Sequence, residues 1–263
     1  MRVVSICSSS KANCTYIECR GKGLLVDIGC SYKMLCDGLK LAGRDVSNIS
    51  AVFITHEHSD HIGGLQMLTK KLNVPVYASK GTLEGILSRE KYAPEPGTEL
   101  HTIDELADAP VNVRVTAFHT PHDSAESCDY TFDDGENKIA VCTDLGHITE
   151  EVRTNLLGCR FVLLESNYDT YMLEHGPYPR ELQRRIKGEY GHLSNAASAS
   201  MIRELVENGT VNILLGHLSQ NNNTPDKALS KVIEMLTLAG AVRGKDYILD
   251  AAEVTGSGKA IAV

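Results

Sequence analysis

Short apolar runs alternate with stretches of helical periodicity along the chain. Residues Val3–Ile6 and Ala51–Thr55 form apolar runs of strand length. Val111–Phe118 places apolar residues at every second position, which is typical of a β-strand. Residues Tyr32–Ala42 carry apolar side chains at helical spacing and are followed by Gly43, which favours a helix end there. The pattern therefore predicts an α/β protein.

The second half of the chain repeats this order of strands and helices. We expect helices over Arg180–Lys187, over Asn195–Glu207 with Ser194 as N-cap, and over Pro225–Ala239 after Thr224. The other predicted elements are the helix His61–Leu72 and the strands Thr15–Cys19, Leu24–Ile28, Val74–Ala78, Asp129–Phe132, Lys138–Thr143, Arg160–Glu165, Val211–Leu215 and Tyr247–Asp250. Because no Pro- or Ser-rich linker separates the halves, we predict a single domain over residues 1–263, with two sheets packed face to face and helices outside.

Composition narrows the classes of protein to consider. The chain has 26 Lys and Arg residues and 34 Asp and Glu residues, which give a net charge of −8. This charge argues against a protein that holds nucleic acid by neutralising its phosphates over the whole surface, whereas a local basic groove is still possible. The apolar runs are far shorter than the ~20 residues of a membrane span. The N-terminus meets a serine cluster too early for a secretion signal, and the eight cysteines form no CxxC pair. We therefore expect a cytoplasmic protein with reduced, mostly buried thiols.

The strongest chemical signal is the segment Thr55–His61, which reads Thr-His-Glu-His-Ser-Asp-His and lies where a predicted strand ends and a helix begins. Polar side chains in this number would be costly inside an apolar core. In extended chain His56 and His58 point to the same side, and Asp60 and His61 follow at the turn into the helix. Imidazole nitrogens and carboxylate oxygens in this order suit two metal ions. The alternative is a solvated loop that happens to be rich in histidine.

The His-x-His-x-Asp-His hexad makes the chain resemble the metallo-β-lactamase superfamily, whose fold is an αββα four-layer sandwich. The resemblance implies three further ligands, each just after a strand, and two divalent metal ions that share a hydroxide as the attacking group. It also places Asp60 among the catalytic residues. The implied metal ligands are His56, His58 and His122 for one ion, Asp60, His61 and His217 for the other, and Asp144 as the bridge.

Two further histidines lie close to these candidates in the sequence. His119 competes with His122, which we prefer because the matching family segment has a His-Asp pair, here His122-Asp123. His119 would then be a pocket residue or an ordinary hydrogen-bonded polar group. His147 follows Asp144 closely and either lines the pocket or is a surface histidine.

The region after Arg160 resembles the phosphodiesterase branch of the superfamily. A strand ends at Glu165, a helix opens near His192, and His217 follows the next strand. By this resemblance Glu165 would orient His192, and His192 would stabilise or protonate the leaving oxygen, since an imidazole can act as an acid near neutral pH. The alternative for His192 is an ordinary contact at a helix start.

Over nearly its whole length the chain resembles the YycJ-like group, also called WalJ or VicX. The segments that match are Ser8–Cys14, Leu25–Gly29, Thr55–Gly63, Leu164–Asp169, Tyr178–Pro179 and Gly191–Asn195. The group is associated with metal-dependent exonuclease action on DNA from the 5′ end. Zinc suits the His-rich ligand set and manganese suits a nuclease, and the ligands do not decide between them. The resemblance places Asn13, Ser194 and Asn195 among the substrate-binding residues. At Ala12 the group usually carries glycine, so a positive φ there would be strained.

A nucleic-acid strand also needs cationic contacts. The candidates are Lys11, Arg180, Arg184, Arg185 and Lys187, of which we select Arg184 as substrate-binding. Arg180, Arg184 and Lys187 share one face of the predicted helix. The alternative is a solvated helix face balanced by Glu181 and Glu189. Nearby tyrosines, which are Tyr168, Tyr171 and Tyr178, either stack bases or pack in the core.

These observations predict a dinuclear metal-dependent phosphodiesterase that acts as a DNA exonuclease, with DNA favoured over RNA. One rival is a hydrolase of the same fold that acts on a small thioester, lactone or β-lactam and does not need Glu165 and His192. The other is a regulatory interaction protein that keeps its metals for stability alone.

Overall fold

The computed structural model describes residues 1–108, 113–256 and 258–263 of the chain. The chain forms two compact units. Unit 1 comprises Met1–Ala117, Ser124–Asn137 and Glu253–Val263, and unit 2 comprises Phe118–Asp123 and Lys138–Ala252.

Strands and helices alternate through both units. The strands are β1 (Arg2–Ser9), β2 (Ala12–Cys19), β3 (Lys22–Val26), β4 (Ile49–Phe53), β5 (Val76–Ala78), β6 (Leu100–Thr102), β7 (Arg114–His119), β8 (Cys128–Asp133), β9 (Lys138–Cys142), β10 (Phe161–Glu165), β11 (Asn212–Gly216), β12 (Ile248–Ala251) and β13 (Ala260–Ala262). The α-helices are α1 (Tyr32–Leu41), α2 (Ser59–Ile62), α3 (Leu65–Lys71), α4 (Lys80–Leu87), α5 (Glu150–Leu156), α6 (Thr170–His175), α7 (Arg180–Lys187), α8 (Asn195–Glu207) and α9 (Pro225–Leu238). Short 3₁₀ turns cover Val46–Asn48 and Ile103–Asp108.

Unit 1 is organised by a seven-stranded sheet in the order β13-β1-β2-β3-β4-β5-β6. Its first four strands pair antiparallel, and β3 to β6 pair parallel. Leu25 and Val52 of the sheet pack with Leu35 of α1 and Leu68 of α3 in one buried cluster. Burial of this apolar surface is what stabilises the layer of helices on the sheet.

Unit 2 contains four parallel strands in the order β12-β11-β10-β9. Every residue of β10 and β11 is buried, which is typical of central strands in a parallel sheet. Helices α5, α8 and α9 cover them through Val152, Ile202 and Val232, which belong to one apolar cluster with Leu164 and Leu215.

Most of the predicted elements are confirmed. Helices α7 and α8 have the predicted bounds, and the side chains of Ser194 and Thr224 accept the predicted capping hydrogen bonds. The alternating strand is confirmed from Arg114 to His119, whereas its predicted start at Val111 lies outside the described residues.

One predicted helix, His61–Leu72, is divided into α2 and α3. The division falls at Gly63-Gly64, where a Cβ on Gly64 would lie 2.1 Å from the carbonyl oxygen of Cys30. The chain therefore needs glycine where it passes the turn after β3. The sequence pattern does not predict helices α4, α5 and α6.

All eight cysteines are free, and all but Cys36 are buried, as predicted. Within residues 1–108, 113–256 and 258–263, every helix is too short or too polar to cross a lipid bilayer.

Candidate metal centre

Three predicted ligands of unit 1 form a cluster of imidazole rings after β4. The ring centroids of His56 and His58 are 4.6 Å apart, and those of His56 and His61 are 4.1 Å apart. His56 and His61 are fully buried, and His58 is half-buried just before α2. The extended segment and the short helix that follows it thus bring the three rings together.

A buried acid, Asp27, sets the orientation of these rings. Its Oδ2 lies 2.8 Å from His61 Nδ1, and its Oδ1 accepts the backbone N–H of Thr55 at 2.9 Å. The Thr55 hydroxyl donates to Asp27 and lies 3.0 Å from His56 Nδ1. Since that hydroxyl has one proton, His56 Nδ1–H donates to it, and Nε2 of both His56 and His61 is left as a metal-binding nitrogen. Burial raises the pKa of Asp27, while His61 and Thr55 oppose that rise.

Asn13 connects the loop between β1 and β2 to the same cluster. Its Nδ2 lies 3.1 Å from His61 Nε2 and 3.4 Å from Asp60 Oδ2, and it donates to the carbonyl of Ser9 at 3.0 Å. Because Nδ2 is a donor, the contact agrees with an unprotonated His61 Nε2. Ala12 begins β2 without a positive φ, so its replacement of glycine causes no strain.

A close backbone contact holds the turn after β3 against α2. The backbone N–H of Ile28 donates to the carbonyl of His61 at 2.8 Å, and that of Gly64 donates to Ile28 at 2.7 Å. A Cβ on Gly29 would lie 1.6 Å from the carbonyl oxygen of Asp60. The absence of a side chain at Gly29 therefore lets Asp60 and His61 approach the end of β3.

Glu165, the last residue of β10, is the centre of the cluster in unit 2. Its Oε1 lies 2.8 Å from Nδ1 of His192 and 2.8 Å from Nδ1 of His217. Its Oε2 accepts the backbone N–H groups of Leu145 and Leu193 at 3.1 and 3.0 Å. Burial by itself raises the pKa of Glu165, but His192 and His217 outweigh it and hold that pKa below the ordinary value. Glu165 thus fixes two rings, whereas the sequence predicted only one.

Asp144 and His217 reach this cluster from strained backbone positions. Asp144 has φ +58° and His217 has φ +53°, and Asp27 in unit 1 has φ +61°. These are three of the four non-glycine residues with positive φ in the described ranges, a conformation that costs roughly 1–3 kcal/mol. Asn167 steadies His217 by donating to its carbonyl at 2.9 Å. Such strain directly after strands is typical of functional sites.

His122 is buried near the same residues of unit 2. Its Nδ1 lies 3.1 Å from the carbonyl oxygen of Gly191, and its Nε2 lies 3.4 Å from Asp123 and 3.8 Å from Asp144. Burial lowers the pKa of His122, opposed by the charge of Asp144, so the ring is neutral at pH 7, as a metal ligand must be.

The donor groups fit divalent metal ions. In unit 2, Asp144, Glu165, His192 and His217 each offer a ligand atom within 4.8 Å of the others. Four of the predicted histidine ligands have Nδ1 beside a protein oxygen, which leaves Nε2 for a metal; they are His56, His61, His122 and His217. A hydrogen bond to the second ring nitrogen is what metal-binding histidines usually have.

The other predicted site residues have varied surroundings. Ser194 caps α8 by accepting the N–H of Ala197 at 3.2 Å, and Asn195 is 4% exposed with its amide bound to Ser166 and Asn223. Arg184 is exposed on α7. Thus Ser194 and Asn195 hold the start of α8 in place.

Both histidines that the sequence left open are exposed. The His119 backbone N–H donates to Glu151 at 3.0 Å, and His147 Nδ1 lies 3.1 Å from the carbonyl of Glu189. His122, by contrast, is buried.

Three residues that position the histidines had no predicted role. They are Asp27, Thr55 and Asn167. Asp27 carries the same signal as the predicted ligands, an acid directly after an apolar strand, and would have been found by that rule.

Comparison with known proteins gives consistent relatives. Residues 25–213 match the family model described as the beta-lactamase superfamily domain. The chain is 33% identical to Exodeoxyribonuclease YycJ of Bacillus anthracis over 244 residues, which cover 92% of this chain and 91% of that protein. It is 30% identical to Exodeoxyribonuclease WalJ of Streptococcus pneumoniae, with coverage of 92% and 90%.

The fold also has solved counterparts. The crystal structure of YhfI, a metallo-β-lactamase fold protein from Bacillus subtilis, superimposes with a TM-score of 0.69 at 17% identity, and the match covers 99% of each chain. This likeness confirms the fold class that the hexad implied.

Proposed function

The chain belongs to the metallo-β-lactamase superfamily and to its YycJ-like group of metal-dependent hydrolases, and from this membership we propose that it is a DNA exonuclease that removes nucleotides from the 5′ end. The proposal is supported by identity to two exodeoxyribonucleases over nine-tenths of the chain. We place this activity in the cytoplasm and treat residues 1–263 as one functional domain.

The proposed ligand set is the one that the family resemblance implies. His56, His58 and His122 would hold one ion, Asp60, His61 and His217 would hold a second, and Asp144 would be a ligand of both. Mixed nitrogen and oxygen donors suit zinc or manganese. When bound, two such ions would supply Lewis acidity at the phosphodiester and lower the pKa of the attacking water.

The contact that carries the proposal is the one between Glu165 and His192. Glu165 Oε1 accepts His192 Nδ1–H at 2.8 Å, which leaves Nε2 to donate a proton to the departing oxygen. When both ring nitrogens carry a proton, Nδ1–H stays with Glu165 and Nε2–H is the proton that the ring can give to the leaving oxygen. Because the same Oε1 lies 2.8 Å from His217 Nδ1, the proton donor and a metal ligand are positioned by one group.

The remaining site residues hold the metal or the substrate. Asp60 belongs to the catalytic set as a residue that would hold a metal ion, and Asn13 Nδ2 lies 3.4 Å from its Oδ2. Arg184 contacts the phosphates of the substrate. We assign Ser194 and Asn195 a supporting role on the substrate side, because their side chains hold the start of α8.

The test is digestion of DNA and RNA oligonucleotides labelled at the 5′ or the 3′ end, with purified protein loaded with zinc or with manganese. We expect release of labelled mononucleotide from 5′-labelled DNA and progressive shortening of 3′-labelled DNA. His192→Ala should slow cleavage by about 10²–10⁴-fold while its metal content stays that of the wild type.

His147→Ala is the matched control, because it removes an exposed imidazole of the same unit. No cleavage of any substrate with either metal would overturn the nuclease proposal. Hydrolysis of a small thioester or lactone that is unaffected in His192→Ala would instead favour the small-ester hydrolase.

A further inference from the structure

Helices α6 and α7 enclose a cleft of about 530 Å³ on the surface of unit 2. Its lining comprises Glu174, His175, Arg180, Gln183, Arg184 and Lys187. Below the cleft, Leu173 and Ile186 pack with Tyr168, Tyr178 and Leu182 in a small apolar cluster of their own. The two helices are therefore held together by packing, and the cleft is formed in advance of any ligand.

The charge of this cleft comes from two arginines. Lys187 is neutralised by Glu174 at 2.6 Å, and Arg185 is neutralised by Asp123, to which its Nη2 donates at 3.0 Å. Arg180 and Arg184 have no acidic partner among the residues that the structure describes. One turn apart on α7, their guanidinium groups present two positive charges to the cleft in a protein of net charge −8.

His175, which lines the cleft, forms an aromatic pair with Tyr171. The rings of Tyr171 and His175 stack at 4.1 Å with an angle of 22°. Tyr171 remains 67% exposed although one face of its ring lies on His175. Tyr168 and Tyr178 pack in the apolar cluster instead, so of the three tyrosines considered from the sequence only Tyr171 offers an open face to a base.

The cleft is joined to the candidate catalytic residues by short contacts. The backbone N–H of His192 donates to the carbonyl of Ile186 in α7 at 2.9 Å. Asp123, the partner of Arg185, follows His122 directly. The backbone at His192 is therefore fixed to the helix that carries Arg180 and Arg184.

We propose that the α6–α7 cleft binds single-stranded DNA, with Arg180 and Arg184 on consecutive phosphates and a base stacked on Tyr171. This assignment rests on the proposed nuclease function and names the surface that holds the strand. Guanidinium groups suit phosphate oxygens because their planar fork of donors matches them. Phosphate contacts and stacking on an aromatic ring together bind single strands without reading their sequence.

The experiment measures binding of a fluorescein-labelled 20-nucleotide oligo-dT by anisotropy over a range of salt concentrations, with metal-loaded protein that carries His192→Ala in every sample so that cleavage is slow. The double variant R180Q/R184Q should weaken binding by about tenfold and reduce the slope of log K against log salt by about 1.4, since each phosphate contact on a single strand contributes about 0.7. Y171A should weaken binding by about tenfold with no change in slope, whereas Y171F, which keeps the ring, should bind as the wild type does.

The charge-matched control is R203Q/K231Q, which removes two exposed cations of α8 and α9 in the same unit. It should leave both the affinity and the salt slope at the wild-type values. If R180Q/R184Q and the control bind alike, or if Y171A binds as the wild type does, the cleft assignment is overturned. Cleavage of DNA by the wild-type protein is measured separately. If the wild-type protein cleaves DNA and R180Q/R184Q binds DNA as tightly as the wild type does, the cleft assignment is wrong but the nuclease proposal stands.

Discussion

The carboxylate of Asp27 lies 2.8 Å from His61 Nδ1, although 34 positions separate the two residues in the chain. The parallel pairing of β3 with β4, which places Val26 opposite Phe53, brings the ends of these strands together. The residue after β3 is thus in position to orient the histidines after β4.

Replacing Asp27 should weaken metal binding and, where the acceptor is lost, the fold as well. We expect Asp27→Asn, which keeps the shape and tolerates positive φ, to lower metal affinity by about 10–100-fold, as loss of a partner of a ligating histidine usually does. Asp27→Ala should also cost about 1–3 kcal/mol of unfolding free energy, because the buried N–H of Thr55 loses its acceptor. Calorimetric metal titration and thermal melts check both effects. Asp37→Ala, an exposed change on α1, is the control, and wild-type metal affinity in Asp27→Asn would contradict the role.

Glu165→Gln should impair both rings that the carboxylate holds. The amide keeps the size but loses the charge, so we expect turnover to fall by about 10²–10⁴-fold and metal content to fall below the wild-type value. His192→Ala should lose turnover but not metal. Mass-spectrometric metal analysis of the two variants beside their DNA cleavage rates separates these outcomes, and full metal content in Glu165→Gln would show that His217 does not depend on it.

Gly29→Ala should disturb Asp60 and His61 through the backbone. A Cβ there would lie 1.6 Å from the carbonyl oxygen of Asp60, so the turn and α2 must separate. We expect a loss of about 1–3 kcal/mol in unfolding free energy together with reduced metal affinity. Gly97→Ala is the comparison. The φ of +92° at Gly97 also disfavours a side chain, but no atom lies within 4 Å of the position that its Cβ would take. Equal metal affinity in the two variants would contradict the close approach.

The ends of the strands that precede the candidate site residues could be predicted from the sequence, because the pattern that marks them lies within a few neighbouring positions. An apolar run followed by an acid or a histidine marks Asp144, Glu165 and His217 within a few residues, and the caps at Ser194 and Thr224 are local too. What it missed depends on residues far apart in the chain. The second contact of Glu165, to His217, needs β10 beside β11, and the break at Gly64 needs the carbonyl of Cys30.

Helix α6 shows a different reason for a missed element. Leu173 is its only buried residue, so its sequence has almost no hydrophobic periodicity to detect. The α6–α7 cleft could not be predicted because helix α6 was not. The ion pairs of Arg185 with Asp123 and of Lys187 with Glu174 join residues that are distant in the sequence, so the sequence did not show that these two cations are neutralised.

Metal removal should destabilise the protein and expose the repulsion between Asp144 and Glu165. With free metal at about 100 times its Kd, binding adds about 2.7 kcal/mol, so we expect EDTA to lower the melting temperature and zinc or manganese to restore it. Asp144→Asn removes one of two neighbouring buried charges and keeps a residue type that accepts positive φ. Its metal-free form should melt above the metal-free wild type, and it should gain less from added metal. An unchanged or lower melting temperature of metal-free Asp144→Asn would contradict this view.

The closeness of two buried acids, Asp144 and Glu165, has a consequence for anyone who engineers this protein. A screen that selects for thermal stability in a chelating buffer would favour asparagine at position 144, and the selected variants would be stable but catalytically inactive. Variants should therefore be ranked with the cation supplied and with turnover scored alongside survival.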